Sequence, residues 1–311
     1  ETILTIIAPM DDTPGSKAGL QAGDQITKIM GKSTKGVSIN DAVGLMRGKI
    51  GTEVNISLFR PSKEEMIDIS INRERIKTKS VRDINGKGDY TLIAPAIGYA
   101  RISSFSDNTA KELEDALLVM ERTGMKGLIL DLRDNPGGLL SQSARVTEKF
   151  VKKNQLIVST EGRDSQQQDK LLAQSESSRG FPLIVLVNGG SASASEIVAG
   201  CLQDLKRAKL VGSRTFGKGS VQTILPMRDG SALRLTTAKY YTPSHRTIHE
   251  KGIEPDHLVE MSPEQMRDIT IKRSLGGLEG LSDEDRDRVN DAQDLQLNKA
   301  LEILQSELAL D

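Results

Sequence analysis

The sequence predicts an α/β protein in two parts, a small and mostly β domain followed by a larger core of alternating strands and helices. Three observations lead there. Up to about Ile76, apolar residues fall in short alternating runs punctuated by glycine and proline. Beyond that point an apolar strand runs through a turn into a helix, and the pattern recurs. The length, 311 residues, is long for one domain.

In the first part, "ILTIIAP" is rich in β-branched residues, and Gly-Asp and Gly-Lys turn signals bracket a strand in "AGDQITKIMGKST". "SINDAVGLM" opens with the cap residues Ser38 and Asn40, then puts Ala42, Val43 and Met46 on one helical face. "TEVNISLF" alternates until Pro61 stops it. "EMIDISINRERI" alternates again through Met66, Ile67, Ile69 and Ile71.

The polar turn "NGKGDY" opens the second part. "AIGYARISSF" reads as a strand and "NTAKELEDALLVMERTG" as an amphipathic helix closed by Gly124. "KGLILDLRDNPGG" is a strand running into a turn, and "GLLSQSARVTEKFV" is a helix. "PLIVLVNGGSASASEIVAGCLQDL" is again strand, turn and helix. The polar, glycine-punctuated "STEGRDSQQQDKLLAQSESSRG" reads as a surface excursion. After Pro263 the chain is charged and helical in pattern, with no obvious chemistry. The expected units are residues 1–76, 77–262 and 263–311.

Composition narrows the function. A formal net charge of −1 gives no reason to expect nucleic acid or an acidic membrane surface as partner. Aromatic content of 3% with no tryptophan removes the stacking platforms of single-strand binders. The one cysteine, Cys201, lies on an apolar helical stripe and reads as a small buried hydrophobe. No segment is apolar for long enough to span a bilayer, and the opening "ETILTIIAPM" is expected to be either a cytoplasmic start or one from which a targeting segment has been removed.

"GSRTFGKGSVQ" puts Lys218 between two glycines, one substitution short of a phosphate-binding loop. Gly219 stands where that loop needs a hydroxyl, and a β-type run follows where it needs a helix. On an extended strand Lys218, Ser220 and Gln222 share a face instead. In "NGGSASASEIVAGCLQD" a helix begins among three serines, whose neighbouring unpaired amides suit an oxyanion. Ser193 and Glu196 are also spaced as a capping box, and that spacing alone favours a cap. All three histidines, His245, His249 and His257, fall in "PSHRTIHEKGIEPDH" and read as polar turn residues. A lysine can replace a histidine base only when neutral, and lowering its pKa by roughly three units through burial costs about 4 kcal/mol.

At these residues the chain resembles the carboxyl-terminal processing proteases, also called tail-specific proteases. The likeness is carried by "GSASASEIVAGCLQDLKRAKLVGSRTFGKGSVQ", with "GYARISSFSDNTAKEL", "LILDLRDNPGG", "TTAKYYTPSHRTIHEKGIEPD" and "DLQLNKALEIL". It implies a crotonase-like α/β protease core with a serine–lysine dyad of Ser193 and Lys218, and Gln222 orienting the lysine. It further implies that Ser191 and Ser195 are not the nucleophile. The oxyanion donors would be the Ala194 amide and that of Gly137 or Gly138, with neither glycine preferred. "APMDDTPGSKAGLQAGDQITKIMGKS" resembles a PDZ domain that starts at the strand following the carboxylate-binding loop.

The function implied is a serine endopeptidase acting on unfolded or C-terminally exposed polypeptides, with the PDZ domain selecting substrate or gating access. The resemblance implies no metal or cofactor. Polypeptide substrates bound as extended strands, and an adaptor or regulatory protein, are the partners it suggests. An envelope or periplasmic location is implied in the same way, and oligomeric state is left open. Two rivals are a non-catalytic PDZ scaffold on a degenerate protease core and a nucleotide-dependent enzyme built on "GSRTFGKGS".

Overall fold

The computed structural model describes residues 3–6, 13–21, 23–75, 79–86, 88–162, 168–176, 178–227, 229–273, 278 and 281–309. They form two compact units, Glu1–Thr78 with Ser262–Asp294, and Lys79–Met261 with Leu295–Asp311. The expected end of the first part, Ile76, lies outside the described residues, as do parts of "ILTIIAP" and "NGKGDY".

The first unit contains β1 (Leu4–Thr5), the single turn α1 (Pro14–Lys17), β2 (Gln25–Ile29), β3 (Lys32–Ser33), α2 (Ile39–Met46), β4 (Glu53–Arg60) and β5 (Glu65–Asn72). The strands pair in the order β1-β2-β4-β5, with β3 on β2. Val54, Ile56 and Leu58 point inward along β4, as its alternation requires. On β5, Ile67, Ile69 and Ile71 face inward, whereas Met66 takes the opposite face and is exposed, because successive strand residues point to opposite sides. Ser38 is the N-cap of α2, accepting the Asp41 amide at 3.2 Å. Asn40, read as a second cap residue, lies within the helix. Arg60 grips the buried Asp24 with two 2.8 Å hydrogen bonds and so pins the end of β4 to the start of β2. Two helices, α6 (Pro263–Arg273) and α7 (Asp283–Asp291), belong to this unit and are tied by Arg288 and Asp268.

The second unit runs β6 (Val81–Arg82), β7 (Ile97–Ile102), α3 (Thr109–Arg122), β8 (Gly127–Asp131), α4 (Leu140–Thr147), β9 (Leu156–Gly162), β10 (Gln168–Leu172), β11 (Leu183–Val187), α5 (Ala194–Asp204), β12 (Lys209–Gly212), β13 (Ser220–Pro226), β14 (Ala232–Tyr241), β15 (His257–Leu258) and α8 (Leu295–Ala309). Its main sheet has the order β15-β12-β11-β8-β7-β6, parallel except for the β6 edge. The central strands are buried on both faces. Leu128, Leu130, Val185 and Val187 pack with residues of α3, α4 and α5, while Ile129, Ile184 and Leu186 pack with Leu297, Ala300, Ile303 and Leu304 of α8.

A second, antiparallel sheet has the order β10-β9-β14-β13. The stretch expected to be a surface excursion therefore supplies the end of β9 and all of β10; Gln168, Asp169 and Lys170 are exposed while backbone pairing holds the strands. Residues 163–167 and 177 within it lie outside the described residues.

A charged cluster ties the helices to the lead into β11. Arg179 reaches Glu114 at 2.7 Å and Glu121 at 2.5 Å on α3, and Lys149 reaches Glu114 at 2.7 Å. The Arg179 hydrogen bonds, with Lys149 adding to them against the effect of burial, lower the Glu114 carboxyl from 4.5 to about 2. A group depressed in the folded state stabilises above its ordinary value and loses that contribution as pH falls through its folded value. We expect Glu114→Gln to cost about 1 kcal/mol at pH 7, after allowing for solvent screening of a partly exposed pair. Urea unfolding at pH 7, 4 and 2 should show this difference shrinking to nothing at the lowest pH.

Candidate active site

The turns that matter leave the C-terminal ends of three neighbouring parallel strands, β8, β11 and β12, where open α/β sheets place their ligands. After β11 the chain turns through Asn188, Gly189 and Gly190 into α5, and Ser193 stands at the junction with φ 56° and ψ −113°. That conformation costs a non-glycine residue about 1–3 kcal/mol and persists only where surroundings enforce it.

Here they do. The Ala192 amide and the Ser195 hydroxyl both donate to the Asn135 carbonyl at 2.9 Å. Ser191 Oγ donates to the Leu132 carbonyl at 2.8 Å and accepts the Asn188 amide at 3.0 Å. Ser191 and Ser195 are fully buried and engaged with backbone, and Ser193 is the partly exposed member of the three.

Glu196 does more than cap the helix. It is fully buried, and its Oε2 accepts the Ser193 amide at 2.8 Å and the Lys218 amide at 2.9 Å. Its Oε1 accepts the Thr215 hydroxyl at 2.6 Å and the Gly217 amide at 2.7 Å. One carboxylate thus joins the Ser193 turn to the Lys218 loop. The Glu196 amide itself goes to the Ser193 carbonyl at 2.9 Å, so that donor does not depend on the Ser193 hydroxyl. The S-x-x-E spacing gave the signal for a cap, but Thr215, Gly217 and Lys218 reach the carboxylate across a turn and a strand that local spacing does not describe.

The glycine-flanked lysine has a packing reason. A Cβ at Gly219 would lie 2.3 Å from the His249 nitrogen, so only glycine lets this loop pass the 248–250 backbone. The Glu250 amide donates to the Gly217 carbonyl at 2.8 Å, and the Phe216 amide to the Ser191 carbonyl at 3.0 Å. Lys218 and Gln222 are both exposed, and among the described residues neither side chain makes a hydrogen bond to protein.

The turn after β8 packs against Ser193. A Cβ on Gly137 would sit 2.8 Å from Ser193 Cβ and 3.0 Å from the Ala194 nitrogen. The Gly137 amide is taken by Asn135 Oδ1 at 2.9 Å. Among the described residues the Gly138 and Ala194 amides have no acceptor. Asn135, fully buried, also donates from Nδ2 to the Ile102 carbonyl at 2.8 Å. Its side chain and carbonyl together connect both turns, a role no sequence pattern signalled.

The other candidates lie elsewhere. His245 pairs with Glu161 at 2.6 Å and stacks on Tyr241 with ring centroids 4.7 Å apart. No hydrogen bond joins a histidine to Ser193 among the described residues. Burial, reinforced by Asp204, pushes the Cys201 thiol up to about 12, which leaves it an inert hydrophobe.

A two-faced parallel sheet carries a strained, partly exposed serine at a strand–helix turn, within a stretch that matches a peptidase family, and a PDZ domain precedes it in the chain. The family description Peptidase family S41 matches residues 96–259, and PDZ domain matches residues 5–60. The chain belongs to peptidase family S41. It is 42% identical to a carboxy-terminal-processing protease of Bartonella bacilliformis, over 98% of this chain and 72% of that protein. It is 41% identical to the carboxy-terminal processing protease CtpA of Bacillus subtilis, over 83% of this chain and 53% of that one. A carboxyl-terminal-processing protease of Synechocystis is 39% identical over 86% of this chain and 61% of its own length. Among solved structures, the photosystem II D1 C-terminal processing protease superposes with a TM-score of 0.53 at 33% identity, covering 83% of this chain and 68% of that one.

Glu196→Gln puts an amide NH₂ against two of four converging donors. We expect it to lower stability by about 3 kcal/mol and to cut kcat/KM on an unfolded polypeptide about 100-fold. Thermal unfolding and steady-state cleavage assays on the same preparation would check both effects.

Proposed function

We propose that this protein is an endopeptidase in which Ser193 is the nucleophile and Lys218 its base, acting on unfolded or C-terminally exposed polypeptides. The observation that carries the reading is the shared Glu196 carboxylate, which holds the Ser193 amide and the Lys218 amide 2.8 and 2.9 Å from one oxygen.

Lys218, neutral, takes the Ser193 proton as Oγ attacks the scissile carbonyl. The Ala194 amide holds the resulting oxyanion together with a glycine amide of the β8 turn. Gly138 suits that second place, because its amide is unengaged among the described residues whereas Gly137's is bound to Asn135. The tetrahedral species collapses, Lys218 returns the proton to the leaving amine, and water repeats the sequence on the acyl-enzyme. Gln222, on β13 just beyond the loop, orients the lysine once substrate is in place. A polypeptide lying as an extended strand across the cleft removes water from Lys218 and favours its neutral form.

The PDZ domain selects substrate. An open cavity of about 780 Å³ in the first unit is lined mainly by apolar side chains, among them Ile6, Leu20, Ile26, Val43, Met46 and Ile56. It suits the apolar end of an extended peptide. The cell envelope or periplasm is the location that fits such work, and no helix among the described residues is long and apolar enough to cross a membrane.

Ser193→Ala and Lys218→Ala should each lower kcat about 10³-fold or more with the fold retained. In the parent, kcat/KM should rise with pH, because only the deprotonated lysine accepts the serine proton. Mass spectrometry of a digested disordered polypeptide across pH 6 to 10 tests both statements, and full activity of Lys218→Ala at every pH would refute the dyad.

A further inference from the structure

Helix α8 covers one face of the main sheet, and its first turn also reaches the residues beneath the β8 turn. Arg133 and Gln296 are 2% and 1% exposed. Arg133 Nη1 donates to Gln296 Oε1 at 3.1 Å, and Gln296 Nε2 donates to the Val259 carbonyl at 2.9 Å. The guanidinium also grips Asp131, with Nη2 at 2.6 Å and Nε at 3.0 and 3.1 Å from its oxygens. The Arg133 amide donates to Asp131 Oδ1 at 2.9 Å, and the Tyr99 hydroxyl to Oδ2 at 2.7 Å. Burial opposes the charge on Asp131, but Arg133 outweighs it and holds the carboxyl well below the usual range.

What Arg133 fixes is the start of the turn. The next residue, Asp134, donates its amide to Asn188 Oδ1 at 2.8 Å, and Asn135 follows with its contacts to Ala192, Ser195 and Gly137. Gln296 therefore bonds to the residue that opens the turn, and the chain itself carries on from Arg133 to Asn135, whose hydrogen bonds reach Gly137 and the Ser193 turn. A buried guanidinium deprived of one acceptor seeks another, because leaving such a donor unsatisfied is costly. A guanidinium that shifts in this way carries with it the residue that opens the turn. Oxyanion donors tolerate little displacement, since their effect depends on reaching the charge at 2.7–3.1 Å or so.

We propose that Gln296 is a positioning residue for the peptidase reaction: from helix α8 it orients Arg133, which sets the β8 turn so that its glycine amide meets the oxyanion. The inference rests on the peptidase reading above. It makes the C-terminal helix part of the catalytic unit, acting through the turn and not by touching substrate.

The test uses the full chain, cleavage of a disordered polypeptide, and binding of a peptidyl boronic acid, which forms a tetrahedral adduct with a nucleophilic serine. Gln296→Leu removes the acceptor and the donor together. Its kcat should fall about 30-fold, its KM should stay within about twofold, and its boronate affinity should fall by the same factor as kcat. Gln296→Glu keeps the acceptor for Arg133 but gives up the donor to Val259. It should recover kcat to within about threefold of the parent while still unfolding at a lower temperature. Should Gln296→Leu fail to fold, Gln296→Met, flexible and of similar length, carries the same readout.

Activity that follows the acceptor and not the melting temperature supports the proposal. A folded Gln296→Leu or Gln296→Met protein with kcat and boronate affinity within about threefold of the parent overturns it. So does a loss of activity in the Leu and Glu variants alike that tracks their loss of stability. A parent that neither cleaves polypeptide nor binds the boronate refutes the peptidase reading itself, and the inference falls with it; an active parent with an equally active Gln296→Leu refutes the inference alone.

Discussion

The buried carboxylate of Glu196 is the constraint on which the site depends. Taking a carboxylate out of water is costly by several kcal/mol, and it is tolerated only where donors replace the lost hydration. Four do so here, from Ser193, Thr215, Gly217 and Lys218. The position at the first turn of α5 adds the favourable end of the helix dipole. The same contacts that keep the charge buried also hold a serine in a strained conformation beside a lysine-bearing loop. Thr215 extends the arrangement by accepting the Ile253 amide at 2.7 Å, which draws in the strand-to-strand connection after β14.

The sheet supplies the rigidity that this constraint needs. β8 and β11 are buried on both faces and are held in register between parallel neighbours, Ile184 beside Ile129 and Leu186 beside Asp131. Side chains that alternate along them divide between the α3–α4–α5 face and the α8 face. The turns that emerge from them inherit that fixed register. Asn135 from one and Ser191, Ala192 and Ser195 from the other then lock the two together through short contacts to backbone.

The two halves of the site differ in how firmly they are set. Ser193 and the β8 glycines rest on buried, fully engaged polar groups. Lys218 has a fixed backbone and an exposed side chain, and Gln222 lies on β13, the edge of the second sheet. Under the proposed roles this division has a use: a nucleophile and oxyanion donors arranged in advance, and a base brought into register as substrate excludes water.

Local sequence pattern was enough for most of the elements, and it set out the chemistry available. Period-two runs in β4 and β5, the doubly apolar strands β8 and β11, and the Ser38 cap were legible because side-chain period and cap chemistry are local. Ser193, Lys218 and the glycines of "DNPGG" were legible as a pattern, through resemblance to a family. The strand β10 was not, because polar residues conceal a strand whose backbone pairing is its main support. Only the tertiary structure decided that Ser191 and Ser195 are engaged with backbone and that Gly138 rather than Gly137 has a free amide among the described residues. It also revealed Glu196 as a junction between two loops, where the sequence indicated a cap. The reason is physical: a hydrogen bond's partner is set by which strands lie side by side, and Arg133 meets Gln296 across 163 positions of chain that no local pattern can span.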